Sequence, residues 1–254
     1  MNFFTPHPAG NHHIFSIQHI IFMIAALAII YIIGNQFKNS DKKRTEKFIK
    51  VMAIIILTFD PMYWFWEISH FGQMRLGTSL PLYLCSLFWI LLPFVAFAKK
   101  DSLIYKIAIS WICTVSFVGG FMGMFFCVYL NQYPFFHFVP IRSLTYHFFM
   151  LLVPYVLRVS GYYKSDIKDA MYFYIPNLIL LLPSFVLDKI FGWDYGYLNG
   201  GTGTPFAIFS SIMPLPLFII VLYSLLYFVM CFVFYYKHIN LHLKTKALLK
   251  NSSN

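Results

Sequence analysis

Lysine and arginine fall almost entirely into every second gap between seven long apolar stretches, and this sorting constrains the fold more than any other feature of the chain. The first basic gap holds Lys38, Lys42, Lys43, Arg44, Lys47 and Lys50. The next two hold Lys99, Lys100 and Lys106, then Arg158, Lys164 and Lys168. Lys237, Lys244, Lys246 and Lys250 follow the last stretch. Only Arg75, Arg142 and Lys189 lie in the intervening gaps. A soluble protein has no cause to arrange charge in this way. A polytopic membrane protein does, because its basic loops stay on the cytoplasmic side. The sequence therefore predicts an all-α, seven-transmembrane-helix bundle, multi-pass in the cell membrane, with its N-terminus outside and its C-terminus cytoplasmic.

The predicted spans are 14–35, 48–68, 79–98, 103–129, 142–160, 169–190 and 205–237, followed by a short basic tail, expected to fray, over 238–254. Each is expected to be helical, since a helix satisfies its own backbone hydrogen bonds in hydrocarbon. Seven such spans use most of the 254 residues and predict one membrane domain over 1–254. Charged residues are only 11% of the chain, against roughly 25% in a globular domain; a surface that meets lipid needs few. The net charge of +10 does not point to nucleic acid, because the basic residues flank span ends instead of sharing one face. It points to membrane lipids as partners. Cys85, Cys113, Cys127 and Cys231 all lie within predicted spans, which argues against a disulfide framework. No Lys or Arg precedes the first stretch, so no cleaved signal peptide is expected.

Gly119 and Gly123 carry the small-xxx-small spacing that allows close helix approach, read here as packing within the chain. The run from Asp194 through Tyr195, Gly200, Gly201 and Gly203 leads to Thr204, a candidate N-cap, and Pro205, a candidate first helical residue. A glycine-rich turn before a helix can offer backbone N–H groups to a phosphate or carboxylate, or it can be simply a tight turn. With Asn177, which follows Pro176, these residues form the candidate ligand-binding set. No internal repeat supports a repeat-built transporter.

Polar residues inside spans are costly, so they mark candidate sites. In the predicted topology His19, Asp60, Cys85 and His147 lie roughly 7–12 Å below the outer boundary, on four different spans, at 1.5 Å per residue. A lone membrane cysteine acts as a small apolar residue, the reading given to Cys113, Cys127 and Cys231. A lone histidine hydrogen-bonds a neighbouring helix. Two histidines and a cysteine in one layer suggest more: a Cys with a His suffices for acyl transfer through a thioester, with a carboxylate such as Asp60 to orient the imidazole. At that depth the accessible carbonyls belong to lipid esters. Metal binding by His19, His147 and a carboxylate or Cys85 is the weaker chemistry, since no tight ligand spacing occurs, and neither a metal nor a cofactor is expected. His7, His12 and His13 are read as solvated, as are Glu67, His70 and Arg75 at the membrane edge.

The segment Leu80-Pro81-Leu82-Tyr83-Leu84-Cys85-Ser86-Leu87 resembles a motif of the YwaF-like bacterial integral membrane proteins. His19 near the start of span one, His147 in span five, and Asp194 to Leu198 followed by Pro205 match that family in the same order. Tyr83 stands where the family has His, Ser86 where it has Asp, and Asp194 where it has Asn. That family is in turn distantly similar to the transmembrane protein 164 family, whose members are described as Cys/His acyltransferases that remodel ether phospholipids. The resemblance implies Cys85 as nucleophile and His147 as base. Two other functions stay open: a non-enzymatic component that binds or transports a small molecule or lipid, and a structural bundle with no ligand.

Overall fold

The structure is a computed structural model that describes residues 3–6, 13–201, 204 and 206–252, with side chains to residue 236. All regular structure among the described residues is helical. Five segments are long and apolar enough to cross a membrane: Ile17–Phe37, Lys42–Phe71, Leu103–Asn131, Ile167–Phe191 and Leu215–Tyr236. Helix α1 (Ile17–Phe37), at 21 residues, reaches about 31 Å, close to the thickness of a bilayer core. Between its polar ends (Gln18, Asn35 and Gln36) its outward side chains are apolar, as are Phe65, Ile212 and Phe232 elsewhere, because lipid replaces water around them.

Two of the five segments contain two α-helices in tandem. Helices α2 (Lys42–Leu57) and α3 (Phe59–Phe71) meet at Thr58, just before Pro61, which cannot donate a backbone hydrogen bond. Helix α4 (Leu76–Ser79) is a single turn. The predicted span 79–98 departs most from expectation: residues 80–83 are not helical, a 3₁₀ turn covers Leu84–Ser86, and α5 runs only Leu87–Phe97. Pro81 accounts for the break, since it disfavours helical backbone at Leu80, which is extended at φ −68°, ψ 145°. Helices α6 (Leu103–Cys113) and α7 (Val115–Phe125) hinge at Thr114. The carbonyl of Cys113, freed there, accepts from Arg158 Nη2 at 2.8 Å.

Helix α8 (Phe138–Val159) forms the centre of the bundle, with Leu144, Met150, Val153 and Val156 fully buried. Helix α7 packs on it at close range: a Cβ at Gly120 would lie 2.9 Å from the Cβ of Met150. That is the intramolecular packing expected of the glycine stripe. Helix α9 (Ile175–Phe191) ends at Gly192, whose φ of 70° suits a residue without Cβ. Helices α10 (Ala207–Ile212) and α11 (Leu215–Ser252) follow. The expected frayed tail is instead helical as far as Ser252, consistent with its content of Leu, Lys and Ala. Pro205 and Gly203 lie outside the described residues, as do His7 and His12.

The alternating gaps meet at opposite ends of the bundle. At one end Lys100 pairs with Glu46 and lies 4.9 Å from the Tyr162 ring, joining three basic segments. At the other, Phe138 N donates to Phe3 O at 3.0 Å, and Tyr195 meets Leu80.

Candidate functional site

The broken stretch from Leu76 to Ser86, non-helical over 80–83, leaves backbone polar groups that must be satisfied by protein where lipid surrounds it. The surrounding helices do this. Trp64 Nε1 donates to Ser79 O at 2.9 Å, and Ser184 Oγ to Leu82 O at 3.3 Å. Tyr195 donates its hydroxyl to Leu76 O and accepts from Leu80 N at 3.1 Å. Burial pushes the Tyr195 phenol up to about 12, so it keeps the proton it donates. Tyr146, on α8, donates to Cys85 O and accepts from Trp89 N, each at 3.0 Å. Beneath the stretch Glu67, with no exposed surface, accepts from Ser79 Oγ and from Arg75 Nε at 3.0 Å. The expectation of a solvated Glu67 is therefore corrected: α4 folds back over it and supplies its partners.

This scaffold holds Cys85 in the turn that leads into α5, half-buried at the rim of a cavity of about 70 Å³. That volume accommodates roughly five water-sized groups. Asp60, Tyr63 and Tyr83 line it, with Arg142 and His147 from α8. His147 Nδ1 donates to Ser143 O at 2.8 Å, which leaves Nε2 unprotonated and without a hydrogen bond among the described residues. Gly123 makes room for this ring, since a Cβ there would lie 2.1 Å from Nε2. No hydrogen bond joins Cys85 to His147; the cavity lies between them. Asp60 forms an ion pair with Arg142, whose Nε donates to Phe59 O at 2.9 Å. The carboxylate therefore holds a guanidinium and not an imidazole.

The family to which the chain is similar bears on this arrangement: the sequence profile of the TMEM164 family matches residues 10–235, from before α1 into α11. The chain belongs to the TMEM164 family. No curated protein and no solved structure matches it. The profile covers every residue of the cavity wall in this TMEM164-family chain.

The remaining candidates lie elsewhere. His19 is fully buried beside α7: Nδ1 accepts from Phe15 N at 3.1 Å and Nε2 donates to Met124 O at 2.8 Å. Both nitrogens are used, and the ring is not part of the cavity wall. Asn177 accepts from Trp111 Nε1 at 2.8 Å, between α9 and α6. Asp194 accepts from Asn199 N at 2.8 Å. Gly200 N donates to Tyr197 O at 3.2 Å, and Gly201 O accepts from Thr204 N at 3.0 Å, so these groups serve the turn itself. Tyr195 bears on the site indirectly, through Leu76 and Leu80. Among the described residues no group of three His, Cys, Asp or Glu side chains is arranged to hold a metal. Sequence reasoning missed Arg142 and Tyr146. A lone arginine in an otherwise uncharged gap was the available signal for the first.

Proposed function

We propose that this TMEM164-family chain is a seven-span membrane protein whose Cys85 end faces outward, and that it transfers acyl groups between lipids through a thioester at Cys85. The observation that carries the reading is a thiol and an imidazole, from different segments, lining the same cavity, with the imidazole's acceptor nitrogen without a hydrogen bond among the described residues. His147 Nε2 takes the Cys85 proton as substrate enters between them. The thiolate attacks an ester carbonyl, and the carbonyl oxygen gains the negative charge. The C–O bond then breaks, and the lysolipid alkoxide leaves with the proton from His147. A second hydroxyl, deprotonated by His147, attacks the thioester and restores the thiol. Cys85 sits where the 3₁₀ turn enters α5. Arg142, held by Asp60, supplies positive charge toward the developing oxyanion. His19 has no part in the chemistry, since both its nitrogens are occupied.

Acyl exchange between labelled phospholipid and lysolipid, assayed with the reconstituted protein, tests this. Cys85→Ala is expected to lower the rate by at least about 10³-fold. Exchange at the unaltered rate would end the reading. A second reading, a lipid- or small-molecule-binding component without chemistry, draws on the lack of a Cys85–His147 hydrogen bond. Ligand-dependent stabilisation that survives Cys85→Ala in a protein with no exchange activity would favour it.

A further inference from the structure

A second cavity, of about 120 Å³, opens at the basic end of the bundle, and it takes no part in the chemistry proposed for Cys85. Glu46, Ile49 and Lys50 of α2 form one wall; Val95, Ala96, Ala98 and Lys100, at the end of α5 and just beyond it, form another; Tyr162 completes it. Fourteen residues separate Glu46 from Asp60, which puts the two cavities about 21 Å apart along the bundle. The Lys100 ammonium pairs with Glu46 and sits 4.9 Å from the Tyr162 ring. An ammonium has three donors, and Glu46 takes one of them. Lys50, on the same helix face as Glu46, brings a second cation into the wall, leaving an excess of one positive charge among its lining groups. Lys42, Lys43, Arg44 and Lys47, on the first turns of α2, add to the field.

An apolar wall beside two ammoniums at the end of membrane-spanning helices has the chemistry of a site for a group that is anionic at one end and greasy at the other. We infer that this cavity binds a phosphate-bearing anion, with Lys50 and Lys100 as donors and Glu46 occupying one of the three donors of Lys100. The apolar residues Ile49, Val95, Ala96 and Ala98 fit the glycerol and first acyl carbons of an acidic phospholipid; a free phosphate would use the lysines alone.

The test uses the full chain in nanodiscs of phosphatidylcholine with and without phosphatidylglycerol, and lipid-stripped protein in neutral detergent with inorganic phosphate. Binding is read from thermal stabilisation and from phosphatidylglycerol retained by the protein. Replacing Lys50 and Lys100 together by Gln is expected to weaken retention roughly 30-fold, about fivefold per lysine. Replacing the exposed Lys43 and Lys47 by Gln serves as the control and is expected to change it far less. Glu46→Gln removes the repelling carboxylate and is expected to strengthen retention. Stabilisation by phosphatidylglycerol but not by inorganic phosphate assigns a lipid headgroup; the converse assigns a soluble phosphate. The proposal is overturned if neither stabilises the protein, if the two double variants lose retention equally, or if Glu46→Gln weakens it as the lysine changes do.

Discussion

His19 and His147 stand at similar predicted depth, yet their surroundings differ in kind. His19 joins the turn at Phe15 to the end of α7 and spends both ring nitrogens on backbone groups. His147 spends Nδ1 on the carbonyl one turn earlier in its own helix and turns Nε2 toward Gly123, and the residue lines the cavity. The first ties two segments together, and the second keeps one ring nitrogen without a hydrogen bond among the described residues. Depth in the membrane does not separate the two; the count of hydrogen bonds does.

The largest effect expected from breaking this comparison is at His147. His147→Asn should lower acyl exchange by roughly 10²–10⁴-fold, with thermal stability little changed, measured on reconstituted protein. Gly123→Ala comes next. Its Cβ collides with the imidazole, so the ring must move, and exchange should fall by at least about tenfold while the protein still folds. Tyr146→Phe removes a donor to Cys85 O and an acceptor for Trp89 N. It should cost about 1–3 kcal/mol in stability and several-fold in rate, read by melting and by exchange. The smallest effect on rate is expected at His19. His19→Leu leaves Met124 O and Phe15 N unsatisfied and should lower the melting temperature, with exchange per folded molecule kept within about threefold. A reversal, with His19→Leu silencing exchange in folded protein and His147→Asn sparing it, would invert the assignment.

The distribution of charge made much of the architecture legible before any coordinates. Glu46, Lys100 and Tyr162, from three basic segments, meet at one end, and Phe3, Leu80, Phe138 and Tyr195 gather at the other. Helical stretches followed from apolar length alone. The break at Leu80–Tyr83 did not, because Leu, Pro and Tyr are as apolar in an irregular segment as in a helix, and only Pro81 marked the difference. Cys85 and His147 were legible as chemistry-bearing types in one layer. Arg142, Tyr146 and Glu67 were not: each gains its role from a partner distant in sequence, Asp60, Cys85 and Ser79 respectively. Asp60 drew notice as a support for a histidine, but the strongest partner for a buried carboxylate is a guanidinium, and Arg142 is within reach.

The central claim is that the Cys85 sulfur carries the acyl group, and a trapped intermediate tests it most directly. The reconstituted protein would be mixed with an acyl-labelled phospholipid, quenched in acid and digested, and its cysteine peptides weighed by mass spectrometry. The account predicts one acyl mass on the Cys85 peptide, released by hydroxylamine, and absent from the Cys85→Ala variant. Acyl exchange that proceeds with no label on Cys85, and equally well in Cys85→Ala, would contradict it.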